Sequence, residues 1–560
     1  MGTAPSVARP GRRVLPLKQQ SAIAPTQAWW RSTWSLALFG AVLLWAALPP
    51  LSLAPLAWLA PVPWVLLIRQ QVLAGRRPYL KVYLVSFGFW LATFYWLTLP
   101  HWATSFGWVA ISLYLAAYLP AFVALARVAV HRLNVSPVLA APVVWTGLEL
   151  IRAHLLSGVT MAAISHTQYR WPLVIQVSDL AGNYGLTFVI VLVGAAIARM
   201  IPWDGAPRAW WPAVPAAAVL GATLTYGQWR TTEETTVAGP KIALVQGSID
   251  IEMKHDPTQA QRIFDEYFEL SRRAVREHPE VDLLVWPETM FRYPWFTFTD
   301  DYVSEPGTIS PAEATARSRR AVENTVLPLG KPLILGIDTV HGTSAGIERY
   351  NSALFLDEQA QELGRYDKVH PVMFGEYVPL GKTFPWLYRL TPLPTGLDAG
   401  KTPVAVKMGQ ARYAANICYE NTVPHLIAAQ VRALKAQGAE PDVLVNLTND
   451  GWFNGSSELD LHLLCGLFRA IECRKPMLIA ANTGFSAWID GSGAMRSQGP
   501  RRDRGVIIAD VELDDRVSPY LLYGDLPAGA CLLMCVGLAV SGVWGWRKRR
   551  LVSRGIHPAR

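Results

Sequence analysis

Ala414-Ala-Asn-Ile-Cys418-Tyr-Glu420 is a short apolar run that ends in a cysteine and an acid. A strand that stops on a thiol and a carboxylate suits an α/β domain, which gathers its reactive groups at strand ends. Upstream, Leu283-Leu-Val-Trp-Pro-Glu288 has the same shape: a buried strand, a proline that stops it, then a carboxylate. Between the two, Arg365-Tyr-Asp-Lys368-Val-His-Pro-Val-Met-Phe-Gly-Glu376-Tyr-Val-Pro mixes Gly and Pro with large side chains, and reads as a loop of the kind that carries function. Further strand-like runs stand at Lys241–Gln246, Pro332–Ile337, Ala353–Leu356, Asp442–Leu447, Met477–Ala481 and Val506–Val511. Thr258–Glu277 places Ile263, Tyr267, Leu270 and Ala274 on one helical face, and Val423–Ala436 and Leu459–Cys473 read likewise. Strands alternating with helices predict an α/β domain over residues 237–517.

The rest of the chain is of another kind. Of 560 residues, 51% are hydrophobic and 17% charged, against about 25% charged in an average soluble chain, and the mean hydropathy is +0.21. This excludes a disordered chain, a coiled coil and an ordinary soluble enzyme. Apolar runs at 32–48, 51–68, 82–100, 107–130, 137–151, 185–201 and 211–228 approach the length of about 20 residues that crosses a bilayer, and 526–546 is an eighth. They predict seven spans within 29–229, then the soluble domain, then one closing span, with basic tails at 1–28 and 547–560. Basic residues cluster at Arg9, Arg12, Arg13, at Arg69, Arg76, Arg77, Lys81, and at Arg547, Lys548, Arg549, Arg550. Placed on one side of a membrane, these clusters put both termini on the cytoplasmic face and the soluble domain on the outer face. Arg152 and Arg170, in the outer loop 152–184, run against the trend. The net charge of +9 is thus spent on orientation, and no basic stripe interleaved with aromatics points to nucleic acid.

Each candidate residue, taken alone, has a bland alternative. Glu288 suits the first turn of a helix, where carboxylates are common. Lys368 and Glu376 suit solvated flanks of a packed aromatic loop. A lone cysteine is usually a small buried hydrophobe, and Cys465, Cys473, Cys531 and Cys535 read that way. The five cysteines form no C-x-x-C pair, so neither a disulfide scaffold nor a zinc site follows from them. Cys418 differs by standing at a strand end beside a charge.

Together, Glu288, Lys368 and Cys418 are the parts needed for acyl transfer through a thioester. A carboxylate takes the thiol proton, an ammonium stabilises the oxyanion and favours the thiolate, and the sulfur attacks the carbonyl. Here the chain resembles the nitrilase superfamily, and more closely its membrane-bound branch, the apolipoprotein N-acyltransferases. The likeness runs through Val245-Gln-Gly, Trp286-Pro-Glu288, Lys368 to Gly375-Glu376-Tyr-Val-Pro-Leu, Cys418-Tyr419-Glu420, Leu447-Thr-Asn-Asp-Gly-Trp452-Phe and Asn482-Thr-Gly-Phe-Ser486. In the apolar part, Trp145 to Arg152 and Gly182-Asn-Tyr-Gly-Leu are similar too.

The resemblance implies a polytopic α-helical membrane domain plus an extracytoplasmic nitrilase-like α-β-β-α sandwich. It implies transfer of a fatty acyl chain from a membrane phospholipid, through a Cys418 thioester, to the N-terminal α-amino group of the lipidated cysteine of apolipoproteins. Glu288, Lys368 and Cys418 match the catalytic triad, and Glu376, Tyr419 and Glu420 match supporting residues. Trp452 and Asn351 match substrate-handling positions, Asn351 equally suiting a turn. The expected place is the cell inner membrane, with the sandwich on the periplasmic side and no metal or organic cofactor suggested. Phe291–Phe296 and Phe384–Tyr388 read either as membrane-dipping lids or as surface packing. Two departures stand out: His255 where the family commonly has Trp, and an apparent insertion at Asn454-Gly-Ser-Ser. A membrane-tethered amidohydrolase, with water as acceptor, and a catalytically silent scaffold are the competing readings.

Overall fold

Why this chain forms two stacked sheets is visible in the first strand, β1 (Thr236–Gln246). Ile242 and Leu244 point into one core, and Ala243 and Val245, one residue out of phase, into another. With both faces buried, the sequence is continuously apolar rather than alternating. The computed structural model describes residues 28–233, 235–304, 306–390 and 396–553. The expected basic tail 1–28 lies, apart from Ala28, outside the described residues, as do residues 554–560 of the closing tail.

The remaining strands are β2 (Leu283–Val285), β3 (Trp295–Phe298), β4 (Leu333–Thr343), β5 (Gly346–Leu356), β6 (Glu362–Asp367), β7 (Ala405–Met408), β8 (Ala411–Ile417), β9 (Val443–Thr448), β10 (Met477–Ala481), β11 (Ala487–Ile489), β12 (Met495–Gln498) and β13 (Gly505–Asp514). One sheet runs β13-β1-β2-β4-β5-β6 with β3 beside β4; the other runs β12-β11-β10-β9-β8-β7. Each has a parallel centre, β1-β2-β4 or β8-β9-β10, continued outward mainly by antiparallel strands. The sheets face each other across a core that includes Ile242, Val285, Phe355, Tyr413, Val445 and Leu478. Helices Ala260–Glu277 and Pro311–Leu329 cover the outside of the first sheet. Helices Pro424–Ala436 and Glu458–Cys473 cover the second. The layers are therefore α-β-β-α.

Each run expected to cross a membrane coincides with a helix. Four helices are long and apolar enough to do so by composition: Thr104–Arg132, Pro137–Ser157, Asn183–Met200 and Leu526–Arg547. Thr33–Ala47 and Leu56–Arg69 are apolar but shorter, and Pro78–Thr93 and Ala213–Thr232 complete the bundle. Only 22% of the apolar window of Leu526–Arg547 is covered by protein, leaving Leu533, Val536, Val540 and Val543 bare. Such a surface is stable only against lipid, and the chain is a membrane protein.

The stretch 152–184, expected as an outer loop, is instead a packed layer between bundle and sandwich. Asp179 is fully buried there, accepting from Arg230 Nε at 2.9 Å, Arg474 Nη2 at 2.5 Å and the Tyr226 hydroxyl at 2.7 Å. Gln176 accepts from Arg474 at 2.7 Å, and Glu472 accepts from the Asn183 amide at 2.8 Å. Polar residues in this layer bind partners hundreds of positions away, so no local apolar period announces it.

Candidate active site

The three candidate catalytic residues leave the sandwich at neighbouring strand ends. Glu288 follows β2 through the buried Trp286 and Pro287. Strand β4 crosses so closely that a Cβ on Gly336 would meet the Pro287 carbonyl oxygen and lie 2.8 Å from Glu288 Cα, so that position takes only glycine. The Glu288 carboxylate is held from two sides. Asn351 Nδ2, on β5, donates to Oε1 at 2.6 Å, and the Asn449 amide donates to Oε2 at 2.9 Å. Asn351 thus holds Glu288, and its own carbonyl accepts from the Lys368 amide at 2.9 Å.

Lys368 follows β6 and is only 1% exposed, which a lysine tolerates only when paired. Its Nζ lies 2.7 Å from Glu376 Oε1 and 3.5 Å from Glu288 Oε1. Burial opposes the ammonium, but the Glu376 and Glu288 carboxylates prevail and hold its pKa above the ordinary lysine value. Glu376 is fixed in turn by the Val372 amide, which donates to its Oε2 at 2.7 Å.

Cys418 ends β8 in a left-handed turn, with φ of 51°. A non-glycine residue keeps that conformation only where its surroundings dictate it, as at other nucleophile turns. Here the Cys418 carbonyl accepts from Asn446 Nδ2 at 3.1 Å and from His462 Nε2 at 3.1 Å. His462 Nδ1 lies 2.9 Å from Asp450 Oδ1, and despite burial that carboxylate raises His462 to about 9. Burial pushes the Cys418 thiol well above its ordinary pKa; Glu288 adds to this, and Lys368 opposes it without prevailing. The expected effect of Lys368 on the thiolate is present but outweighed, so the resting sulfur carries its proton and needs a base.

Glu420 is the hub beneath both turns. Its carboxylate accepts from the Tyr366 hydroxyl at 2.9 Å, the Val369 and His370 amides at 2.8 and 2.9 Å, and the Ile417 amide at 2.7 Å. It ties the chain after Lys368 to the chain before Cys418. Tyr419 looks the other way and donates its hydroxyl to the Gly158 carbonyl of the interdomain layer. Trp452 stands in the turn Asp450–Phe453 directly after β9, and Phe453 packs edge-on against Trp96 of the bundle at 5.0 Å.

Of the two aromatic stretches, the first is core: Phe291 and Trp295 are buried under the first sheet. The second is bare, with Phe384 46% and Trp386 59% exposed. The side chain of His255 lies outside the described residues. Its neighbour Lys254 bonds Thr289, next to Glu288, and burial lowers its pKa. His462, Asp450 and Lys254 are site residues that sequence reasoning did not single out.

A half-buried thiol, a lysine and two carboxylates gathered at the strand ends of an α-β-β-α sandwich are the arrangement of the nitrilase superfamily. Residues 241–518 match the carbon-nitrogen hydrolase family, and residues 40–196 match the apolipoprotein N-acyltransferase N-terminal domain. An apolipoprotein N-acyltransferase of Rhodopirellula baltica is 31% identical over 91% of this chain and 97% of its own. One of Geobacter metallireducens is 32% identical over 93% and 96%. Among solved structures, an amidase from Nesterenkonia sp. aligns at 18% identity over 53% of this chain and 98% of its own, with a TM-score of 0.36. The chain belongs to the apolipoprotein N-acyltransferase family and is an acyltransferase.

Proposed function

We propose that this enzyme takes a fatty acyl chain from a membrane phospholipid, holds it as a thioester on Cys418, and passes it to the α-amino group of the lipidated N-terminal cysteine of apolipoproteins. The observation that carries this reading is the join between site and bundle. Tyr419, next to Cys418, donates to Gly158, and His370, two residues after Lys368, bonds the Ser157 carbonyl at 3.0 Å. Both site turns therefore rest on the segment that directly follows a long apolar helix. A site resting on that segment suits substrates that stay in the bilayer.

In the first half-reaction Glu288 removes the Cys418 proton as the sulfur attacks the ester carbonyl. Lys368 stabilises the oxyanion that forms. Collapse breaks the ester C–O bond, the departing glycerol alkoxide takes the proton back from Glu288, and a lysophospholipid leaves. In the second, a neutral amine attacks the thioester and gives one proton to Glu288. The C–S bond breaks, and the thiolate recovers that proton. Glu376 and Glu420 position Lys368 and the two turns; Asn351 positions Glu288. Trp452 and the exposed Phe384 and Trp386 are placed to guide lipid and to keep water from the thioester. The enzyme is placed in the cell inner membrane with eight spans, both basic tails cytoplasmic and the sandwich periplasmic.

The test is mass spectrometry of the Cys418 peptide after incubation with phospholipid alone, beside Cys418→Ala. A hydroxylamine-labile acyl adduct that disappears on adding a lipopeptide amine, with N-acylated lipopeptide appearing, supports the reading. An adduct lost to water alone favours the amidohydrolase, and no adduct with any lipid removes Cys418 as nucleophile.

A further inference from the structure

Away from the site, three side chains from three separately anchored parts of the molecule converge. His154 ends the helix Pro137–His154 of the bundle, His425 is the second residue of the sandwich helix Pro424–Ala436, and Asp525 immediately precedes the last apolar helix. The His154 and His425 rings stack with centroids 3.9 Å apart, and His154 Nε2 lies 3.4 Å from Asp525 Oδ2. One nitrogen from each ring and one carboxylate oxygen fall within 4.8 Å of one another. We propose that His154, His425 and Asp525 bind a divalent transition-metal ion of the zinc class, outside the acyl-transfer site.

The donor set is the first argument. Two imidazoles and one carboxylate, with room for water or a further ligand, are a recurrent set for zinc and its neighbours in the first transition row. Ligands about 2.1 Å from a tetrahedral ion stand roughly 3.4 Å apart. The His154–Asp525 pair, at 3.4 Å, already has that spacing, and the third donor, within 4.8 Å of both, has at most about 1.4 Å to close. His154, whose side chain is 45% exposed, has room to shift toward the other two donors while its Nδ1 keeps the Leu150 carbonyl.

The second argument is an unused donor. His425 Nδ1 is buried and has no hydrogen-bond partner among the described residues, an arrangement that calls for a ligand. The other positions are prepared in the manner usual for metal ligands. His154 Nδ1 is fixed by the Leu150 carbonyl at 3.1 Å, and Tyr520 donates to Asp525 Oδ1 at 2.7 Å, leaving Oδ2 for the ion. A cavity of about 820 Å³, lined by His154, Asp525, Tyr523 and Arg432, gives an ion a way in. Arg432 opposes a cation there, and the site is accordingly expected to bind more weakly than a four-ligand structural site.

Its place gives the ion an effect. Ser157 and Gly158, which hold His370 and Tyr419, come three and four residues after His154. An ion at this junction would clip bundle, sandwich and last helix together beside those supports.

The test uses untagged full-length protein in detergent or nanodiscs, titrated with Co2+ and then Zn2+. The expected result is one Co2+ per chain with the visible absorption of a four-coordinate N/O site, displaced by Zn2+, and a Zn2+-dependent rise in Tm. His425→Gln and Asp525→Asn should each weaken Co2+ binding by at least about tenfold while melting like wild type without metal. Should His425→Gln not fold, His154→Gln, at the exposed position, gives the same reading. The proposal is overturned if no Co2+ binds at equimolar protein, if binding survives in these variants, or if a thiolate charge-transfer band shows a cysteine ligand.

Discussion

At Cys418, burial and the Glu288 carboxylate push the thiol pKa up, and Lys368 alone pulls it down. Removing one charge at a time should therefore move the thiol in opposite directions. Glu288→Gln makes it more acidic, so iodoacetamide should modify Cys418 faster near neutral pH, roughly tenfold per unit of pKa, even as the acyl thioester disappears. Lys368→Met should slow the same modification. Equal alkylation rates in both variants and wild type would mean that these charges do not reach the sulfur. His462 gives a pH signature of its own. Its pKa is raised from 6.5 to about 9, so its stabilisation is complete below pH 6.5 and is lost as pH rises through 9. The loss is on the order of 3 kcal/mol, set by the Asp450 carboxylate with Glu458 also facing the ring. Melting of wild type should fall across this window and that of His462→Gln should fall less; parallel slopes would remove His462 as the cause. Glu288 and Cys418 are legible in the sequence because each ends or follows an apolar strand run, and Lys368 because it stands in a Gly- and Pro-bearing loop rich in large side chains. His462 is not: it lies among Leu461, Leu463 and Leu464 on a helix that reads as core, and its partners Asp450 and the Cys418 carbonyl are 12 and 44 residues away.

Strands and helices constrain the site as strongly as side chains do. Strand β4 passes close beneath Pro287 and Glu288, where Gly336 has no room for a methyl group. Gly336→Ala should cost about 1–3 kcal/mol and displace Glu288 from the Asn351 and Asn449 donors, lowering thioester formation while Cys418 stays alkylatable. Unchanged acyl-adduct rates would show that the strand yields instead. At the interdomain layer, Asp179→Ala leaves Arg474 buried without its carboxylate and Arg230 with Glu233 alone. Such a loss costs about 3–5 kcal/mol, to be read as a fall in Tm in detergent, with Asp179→Asn intermediate. The sequence marks the central strands well, because burial on both faces makes them continuously apolar. It marks β6, β7 and β12 poorly, because these short edge strands keep polar residues on one face, and β3 and β11 poorly because four and three residues are too few to show a period. Helix Pro311–Leu329 escapes notice for a related reason: its buried stripe sets Ala314, Ser318 and Thr325 among Val322, Val326 and Leu329, which dilutes the apolar period.

Across the whole molecule, the sandwich is not an independent body resting on the bundle. Helix Glu458–Cys473 is buried at every position except Asp460, with the second sheet on one side and the bundle and interdomain layer on the other. A helix buried nearly all round is stable only inside a larger core. His166 packs on Phe468 at 4.9 Å, and Asn183 and Asp179 satisfy Glu472 and Arg474. Residues 235–518 expressed alone would expose that helix face together with Arg474, stripped of Asp179 and Gln176. The isolated sandwich should therefore aggregate, or remain soluble only without the near-ultraviolet dichroism of fixed aromatic packing. Gel filtration and circular dichroism of that fragment, beside the full chain in detergent, make the comparison. A monomeric fragment with a cooperative melt would mean that the bundle serves only to place the site at the lipid surface. Aggregation of the fragment, with the full chain well folded, would mean that the layer that brings the site to the lipid also completes the core of the catalytic domain.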